Sequence, residues 1–145
     1  MSLMDLNWAS FDRGVFLLNV LGIIRDKKTG KILVGRRQND EFIKKLEWCF
    51  PGGRPAYERD LEHYLKLEIK KKTGFDAEVK DVLFARTFPE DRRFLNIYYL
   101  CEAKDGKEKA GEKFSEIKWV NPAELKYIFT TSFDPKLLAI INSLK

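Results

Sequence analysis

The stretch Pro51–Phe75, PGGRPAYERDLEHYLKLEIKKKTGF, constrains this chain more than any other. Pro51-Gly52-Gly53 interrupts regular structure. Asp60 is placed to cap a helix and Gly74 to end one. Between them Leu61, Tyr64, Leu65 and Ile69 recur at helical spacing, which predicts one buried stripe. Short extended residues, Glu47–Phe50, come just before the break. A strand, a glycine turn and a helix start form a meaningful sequence. Glycine lets a backbone approach a ligand closely, and the first N–H groups of a helix face an anion.

Around this stretch the chain alternates strands and helices. Phe16–Arg25 and Lys31–Arg37 read as a hairpin joined by Lys27-Lys28-Thr29-Gly30. Asn39–Lys45 is polar and reads as a loop. Ala77–Thr87 and Arg93–Ala103 are β-rich, with the charged run Phe88–Arg93 expected as a mobile loop between them. Asp105-Gly106 is a turn signal inside a surface loop, Lys104–Lys113. Phe114–Val120 reads as a strand and Pro122–Tyr127 as a short helix. Asp134-Pro135 opens a last helix with Leu137, Leu138, Ile141 and Leu144 on its apolar face. Strands, helix, strands, helix in that order predict an α/β fold, a mixed sheet covered by helices.

At 145 residues, 44% of them apolar, one domain spanning 1–145 is expected. Lys and Arg number 27 against 22 Asp and Glu, a net +5. That balance suits anionic ligands, and no nucleic-acid motif accompanies it. Cys49 and Cys101 lack metal or paired spacing and read as buried, reduced thiols of a cytoplasmic protein. Val15–Ile24 is apolar but too short to span a bilayer.

The central stretch resembles the Nudix box. That pattern is glycine, five residues, glutamate, seven residues, then Arg-Glu-aliphatic-any-Glu-Glu-any-Gly-aliphatic. With Gly53 as its first glycine, Gly74 is its last without a gap. Glu68 takes the glutamate of Arg-Glu, Ile69 the aliphatic position and Phe75 the final apolar one. Ile32–Arg37, Trp48–Gly53, and Ser115–Val120 with Asn121–Leu125 are similar to the family's flanking segments. The run from Leu33 to Asn39, with Trp48 and Pro51–Arg54, weakly resembles the GDP-mannose mannosyl hydrolase branch. The resemblance implies an α/β/α sandwich with a mixed sheet between helices.

It also implies hydrolysis of a nucleoside diphosphate linked to another group, with Mg2+ or Mn2+ held by glutamates of the box helix. Here the box is altered: Arg59 replaces its first glutamate, Leu67 its arginine, and Lys71 and Lys72 its glutamate pair. Glu68, Lys71 and Lys72 share a helix face. Ammonium groups do not ligate magnesium, but they suit phosphate oxygens. Expectations follow residue by residue. Glu68 is the candidate catalytic residue. Arg37, Gly53, Arg54, Lys71 and Lys72 are candidates for the diphosphate, and Glu58, Glu68 and Glu116 for any metal. Glu62 and Glu112 are further carboxylates near these positions, and His63 lies early in the helix.

The expected ligand is a nucleotide or nucleotide-sugar, either cleaved or only bound. The alternative is a non-catalytic nucleotide-binding or interaction module on the same fold. A homodimer is expected by analogy with such families alone.

Overall fold

The computed structural model describes residues 5, 7, 10, 13–37 and 40–145. Asn39, part of the expected loop and of the run from Leu33, lies outside the described residues, as does Gln38. The elements run β1 (Leu17–Arg25), β2 (Ile32–Arg36), β3 (Trp48–Cys49), β4 (Gly52–Gly53), α1 (Leu61–Thr73), β5 (Phe75–Phe88), β6 (Asp91–Gly106) and β7 (Glu116–Val120). A 3-10 turn (Pro122–Glu124), α2 (Leu125–Ile128) and α3 (Pro135–Asn142) complete them. No described helix is long and apolar enough to cross a membrane.

The sheet is mixed. Its strand order is β3-β2-β1-β6-β5, with β7 beside β2 and β4 beside β1. β1 and β6 run parallel in the centre, in register from Leu17↔Phe94 to Arg25↔Glu102. Both faces of this pair are covered. On one, α1 packs Leu65 and Ile69 against Val20, Ile24, Leu33 and Cys101. On the other, Leu125, Leu137 and Ile141 of α2 and α3 cover Ile23, Ile32, Val34 and Tyr98. This is the mixed sheet covered by helices that the alternation of elements predicts, and the α/β/α sandwich that the resemblance implies. In α3 only Leu137 and Ile141 of the expected face are fully buried, and Leu144 lies beyond the helix end. Cys101 is buried, while Cys49 is only half-buried; both are free thiols.

Segment 48–53 does more than end a strand. β3 pairs with the end of β2, and Pro51 accepts a hydrogen bond from Gly22 N (2.8 Å). Gly52 and Gly53 then resume pairing, now with Leu21 and Val20 of β1. The Pro-Gly-Gly break is therefore a transfer from one strand to the other.

The expected mobile loop 88–93 is instead a tight turn of Pro89 and Glu90. Its charges have partners that hold it. Arg93 grips Asp91 through Nε (2.9 Å) and Nη2 (2.6 Å), and Glu90 accepts from Ser132 N (2.9 Å) and Oγ (3.2 Å). Nor does Asp105-Gly106 turn the chain. β6 runs through to Gly106, which pairs with Phe75 at φ 106°, beside the Gly74 carbonyl.

Gly52 lies so close to β1 that an added Cβ would collide with the Val20 carbonyl oxygen. Gly52→Ala is expected to lower stability by about 2–3 kcal/mol, the upper range of overpacking costs, because β4 must lift away from β1. Chemical denaturation that shows no loss would contradict this packing.

Candidate functional site

α1 is aimed at β4 by its two ends. Asp60 accepts from Glu62 N (3.1 Å) and His63 N (3.4 Å), and Gly74 closes the helix at φ 81°. Lys70 serves that end, donating to Gly74 O (3.1 Å) and pairing with Asp76 (3.3 Å). With its ends held there, α1 carries Tyr64, Glu68 and Lys72 in one row, four residues apart.

That row reaches across the glycine strand. A Cβ on Gly53 would stand 2.5 Å from Tyr64 Oη and 3.4 Å from Glu68 Oε1, so only glycine leaves the passage open. Tyr64 Oη donates to Glu68 Oε1 (2.9 Å), and Lys72 Nζ donates to Gly52 O. Glu68 is 8% exposed and Lys72 5%. Glu68 Oε2 is buried and has no hydrogen-bond partner among the described residues.

Burial shapes the electrostatics. It lowers the Lys72 pKa, while the nearby charges of Glu68 and Glu112 push the other way. Burial also raises the Tyr64 pKa, and the hydrogen bond to Glu68 adds to the rise. The Cys49 thiol is pushed up to about 12 by burial, against the lowering influence of Arg37 and Lys72.

The row forms part of the wall of a cavity of about 720 Å³. Just after β2 stands Arg37, which pairs with Asp40 at 2.9 Å. Arg54 follows the glycines and lies over the Phe42 ring, 5.2 Å from its centre. The loop after β6 is hitched to the end of α1 by Lys109 N→Thr73 O (2.9 Å) and Gly111 N→Lys72 O (3.0 Å). It brings Glu112, at φ 52°, and Lys113 to the cleft mouth. Arg86, Asn19, Asn96 and several aromatic rings also line the cavity.

Of the expected site residues, Arg37, Gly53, Arg54, Glu68 and Lys72 come together in this cavity. Lys71 does not. It is exposed on α1, outside the cavity wall, because one residue along a helix is roughly a 100° turn. Glu58 lies exposed in the turn before α1, and Glu62 and His63 are exposed in its first turn. Glu116, on β7, is exposed with its carboxylate 3.7 Å from Arg36 Nη1. Tyr64 belongs to the cleft as well as to the apolar stripe, a role visible only in its spacing of four from Glu68. Asn19, Asn96 and Arg86 were missed. For Asn19 and Asn96 the available signal was an amide between apolar neighbours.

The donor set does not fit a divalent ion on α1. Among the described residues no three of His, Cys, Asp and Glu stand close enough to share one. One oxygen of Glu68 is bonded to Tyr64, and the Gly52 carbonyl beside it already accepts from an ammonium. Hard cations need several oxygens free to converge.

Lys72 sets a titration with a definite sign. Its folded pKa lies below the ordinary lysine value, so in the window between the two the unfolded chain holds more protons. In that window this residue's contribution makes stability rise with pH. A 13Cε NMR titration is expected to place its midpoint below that of free lysine. Glu68→Gln removes an upward push and is expected to lower the midpoint further; a rise would contradict the arrangement.

Comparison with known proteins agrees with the geometry. The pattern of the NUDIX domain matches residues 15–139. Human nucleoside diphosphate-linked moiety X motif 6 is 32% identical over 90 residues, 60% of this chain and 28% of that protein. This chain thus spans less than a third of that relative's length. Among solved structures, an ADP-ribose pyrophosphatase of Streptococcus suis superposes with TM-score 0.67 at 18% identity, covering 87% of this chain and 90% of the other. A MutT protein of Methanosarcina mazei does so with TM-score 0.67 at 19% identity, covering 88% and 91%. With the domain pattern running through β1, the glycine strand, α1 and α3, this chain belongs to the Nudix family.

Proposed function

We propose that this protein holds a nucleoside diphosphate linked to another group, and that it grips the diphosphate with its own cations in place of a metal ion. The buried Lys72 ammonium in the cavity wall carries this reading. An ammonium has three donors, and Gly52 uses one. The others are available to phosphate oxygens, with Arg37 and Arg54 on the same cavity. Arginine supplies a planar fork suited to such oxygens. The ligand class follows the name of the human relative, which matches this chain through a shared segment. Nudix hydrolases generally use divalent metals, so the absence of a fitting donor set on α1 marks a departure within the family.

A second reading is cleavage, and Glu68 favours it. Its free Oε2 is a buried acceptor beside the cations. In this reading Glu68 takes a proton from a water that attacks one phosphorus. The P–O bond of the anhydride then breaks, and the leaving phosphate departs with its charge held by Lys72 and the arginines.

Isothermal titration with ADP-ribose and UDP-glucose tests both readings, in EDTA and in magnesium. At least one of them is expected to bind in EDTA. Lys72→Glu is expected to weaken that binding by about tenfold or more, a loss of about 1.4 kcal/mol, with Arg54→Ala weaker in the same direction. The same Lys72→Glu protein is expected to gain affinity for Mn2+, read by paramagnetic relaxation of water. Binding that requires magnesium in the unaltered protein would overturn the proposal. Product formation lost in Glu68→Gln, with binding retained, would establish the second reading.

A further inference from the structure

We infer that Asp40 is a specificity-determining residue, whose carboxylate makes the cleft prefer a diphosphate linked at both ends over one that ends in a free phosphate. Its role rests on the diphosphate reading and adds which anions are turned away. Arg37 Nη2 pairs with Asp40 Oδ1 at 2.9 Å, and both residues line the cavity. The other carboxylate oxygen, Oδ2, accepts from Phe42 N (3.0 Å) and Ile43 N (2.8 Å). Asp40 is thus held on both of its oxygens. For it to swing away from Arg37, the turn at 40–43 must open. That turn is anchored by Ile43, which is buried, and by Phe42, whose ring meets Phe94 edge-on at 5.0 Å.

A fixed negative charge therefore stands beside a cation that the ligand needs. Arg37 Nε is buried and has no hydrogen-bond partner among the described residues, so a donor remains for a phosphate oxygen. A phosphate bound there shares one guanidinium with the Asp40 carboxylate. The same turn also serves Arg54, which lies over the Phe42 ring, 5.2 Å from its centre. Among the described residues the cavity wall carries as many carboxylates as cations, although the chain has a net charge of +5. Such a wall has little positive charge to spare for a highly charged anion. A phosphate linked on both sides carries a single negative charge, whereas a terminal one carries about 1.5 to 2 at neutral pH. The additional charge meets Asp40. Like charges brought side by side reject a ligand without any clash of shape.

Two matched pairs of ligands test this by isothermal titration in EDTA: ADP-ribose against ADP, and UDP-glucose against UDP. Each pair shares its base and diphosphate and differs in whether the second phosphate is linked. The unaltered protein is expected to bind the linked member of at least one pair about tenfold more tightly. Asp40→Asn keeps an oxygen for Phe42 N and Ile43 N but removes the charge. It is expected to tighten binding of the free diphosphate about tenfold, with the linked member changed by less than about threefold. Asp40→Ser, whose hydroxyl also suits such a turn, is expected to act in the same direction. Glu41→Gln removes a carboxylate from the next position in the wall and is expected to leave the preference within about twofold. Equal or tighter binding of the free member by the unaltered protein would overturn the role of Asp40. So would a preference that Asp40→Asn leaves unchanged, as it would if the carboxylate only orients Arg37, or one that Glu41→Gln shifts as much. In each of those outcomes the diphosphate reading stands. If neither pair binds in EDTA, to the unaltered protein or to Asp40→Asn, that reading is lost and the role of Asp40 with it.

Discussion

Lys72 holds its ammonium against the Gly52 carbonyl, nearly out of solvent, and much of the cleft is arranged around that bond. A buried cation without a partner costs on the order of several kcal/mol. Here the cost is offset locally. The carbonyl accepts one N–H, and the charges of Glu68 and Glu112 favour the protonated form. Glu68 is in turn steadied by Tyr64. Remove the lysine and a backbone carbonyl loses its donor, while a buried carboxylate loses a nearby positive charge.

This bond exists because two glycines stand where they do. Gly52 lets β4 lie hard against β1, and Gly53 leaves room for the α1 row to pass. A strand with side chains at these positions would push the helix outward and separate Lys72 from the sheet. The loop 107–115 finishes the arrangement by bonding to the last carbonyls of α1. Helix, glycine strand and loop therefore hold one cation in one place. In a family whose hydrolases generally use divalent metals, the cleft helix of this chain presents a fixed lysine at a position of the box's glutamate pair. Burial lowers the pKa of that lysine, so its charge is set by its neighbours as well as by pH.

The cavity wall combines nitrogen cations with aromatic rings and amides. Arg86, also in that wall, is already engaged with Ser132 O (3.1 Å) and stands 3.9 Å from Asp134. With Glu90, it fastens the segment before α3 to the β5–β6 hairpin and so sets the far wall of the cavity.

Local chemistry in the sequence was enough for α1. Its caps, its apolar stripe and the glycines before it all act over a few residues, so their consequences are readable in order along the chain. The layered fold followed from the alternation of strands and helices. The tight turn at Pro89-Glu90 was not readable, since its charges are held partly by Ser132, far away in sequence. Nor was the choice between Lys71 and Lys72. Both stand at the positions of the box's glutamate pair, and only the seating of α1 over β4 turns one to the cleft and the other to water. The amide pair depends likewise on the parallel register of β1 and β6, strands more than 70 residues apart by the separation of Asn19 and Asn96. Sequence alone determined which side chains each element carries; tertiary packing decided which of them meet, because a helix's rotation and a strand's register are set by distant contacts.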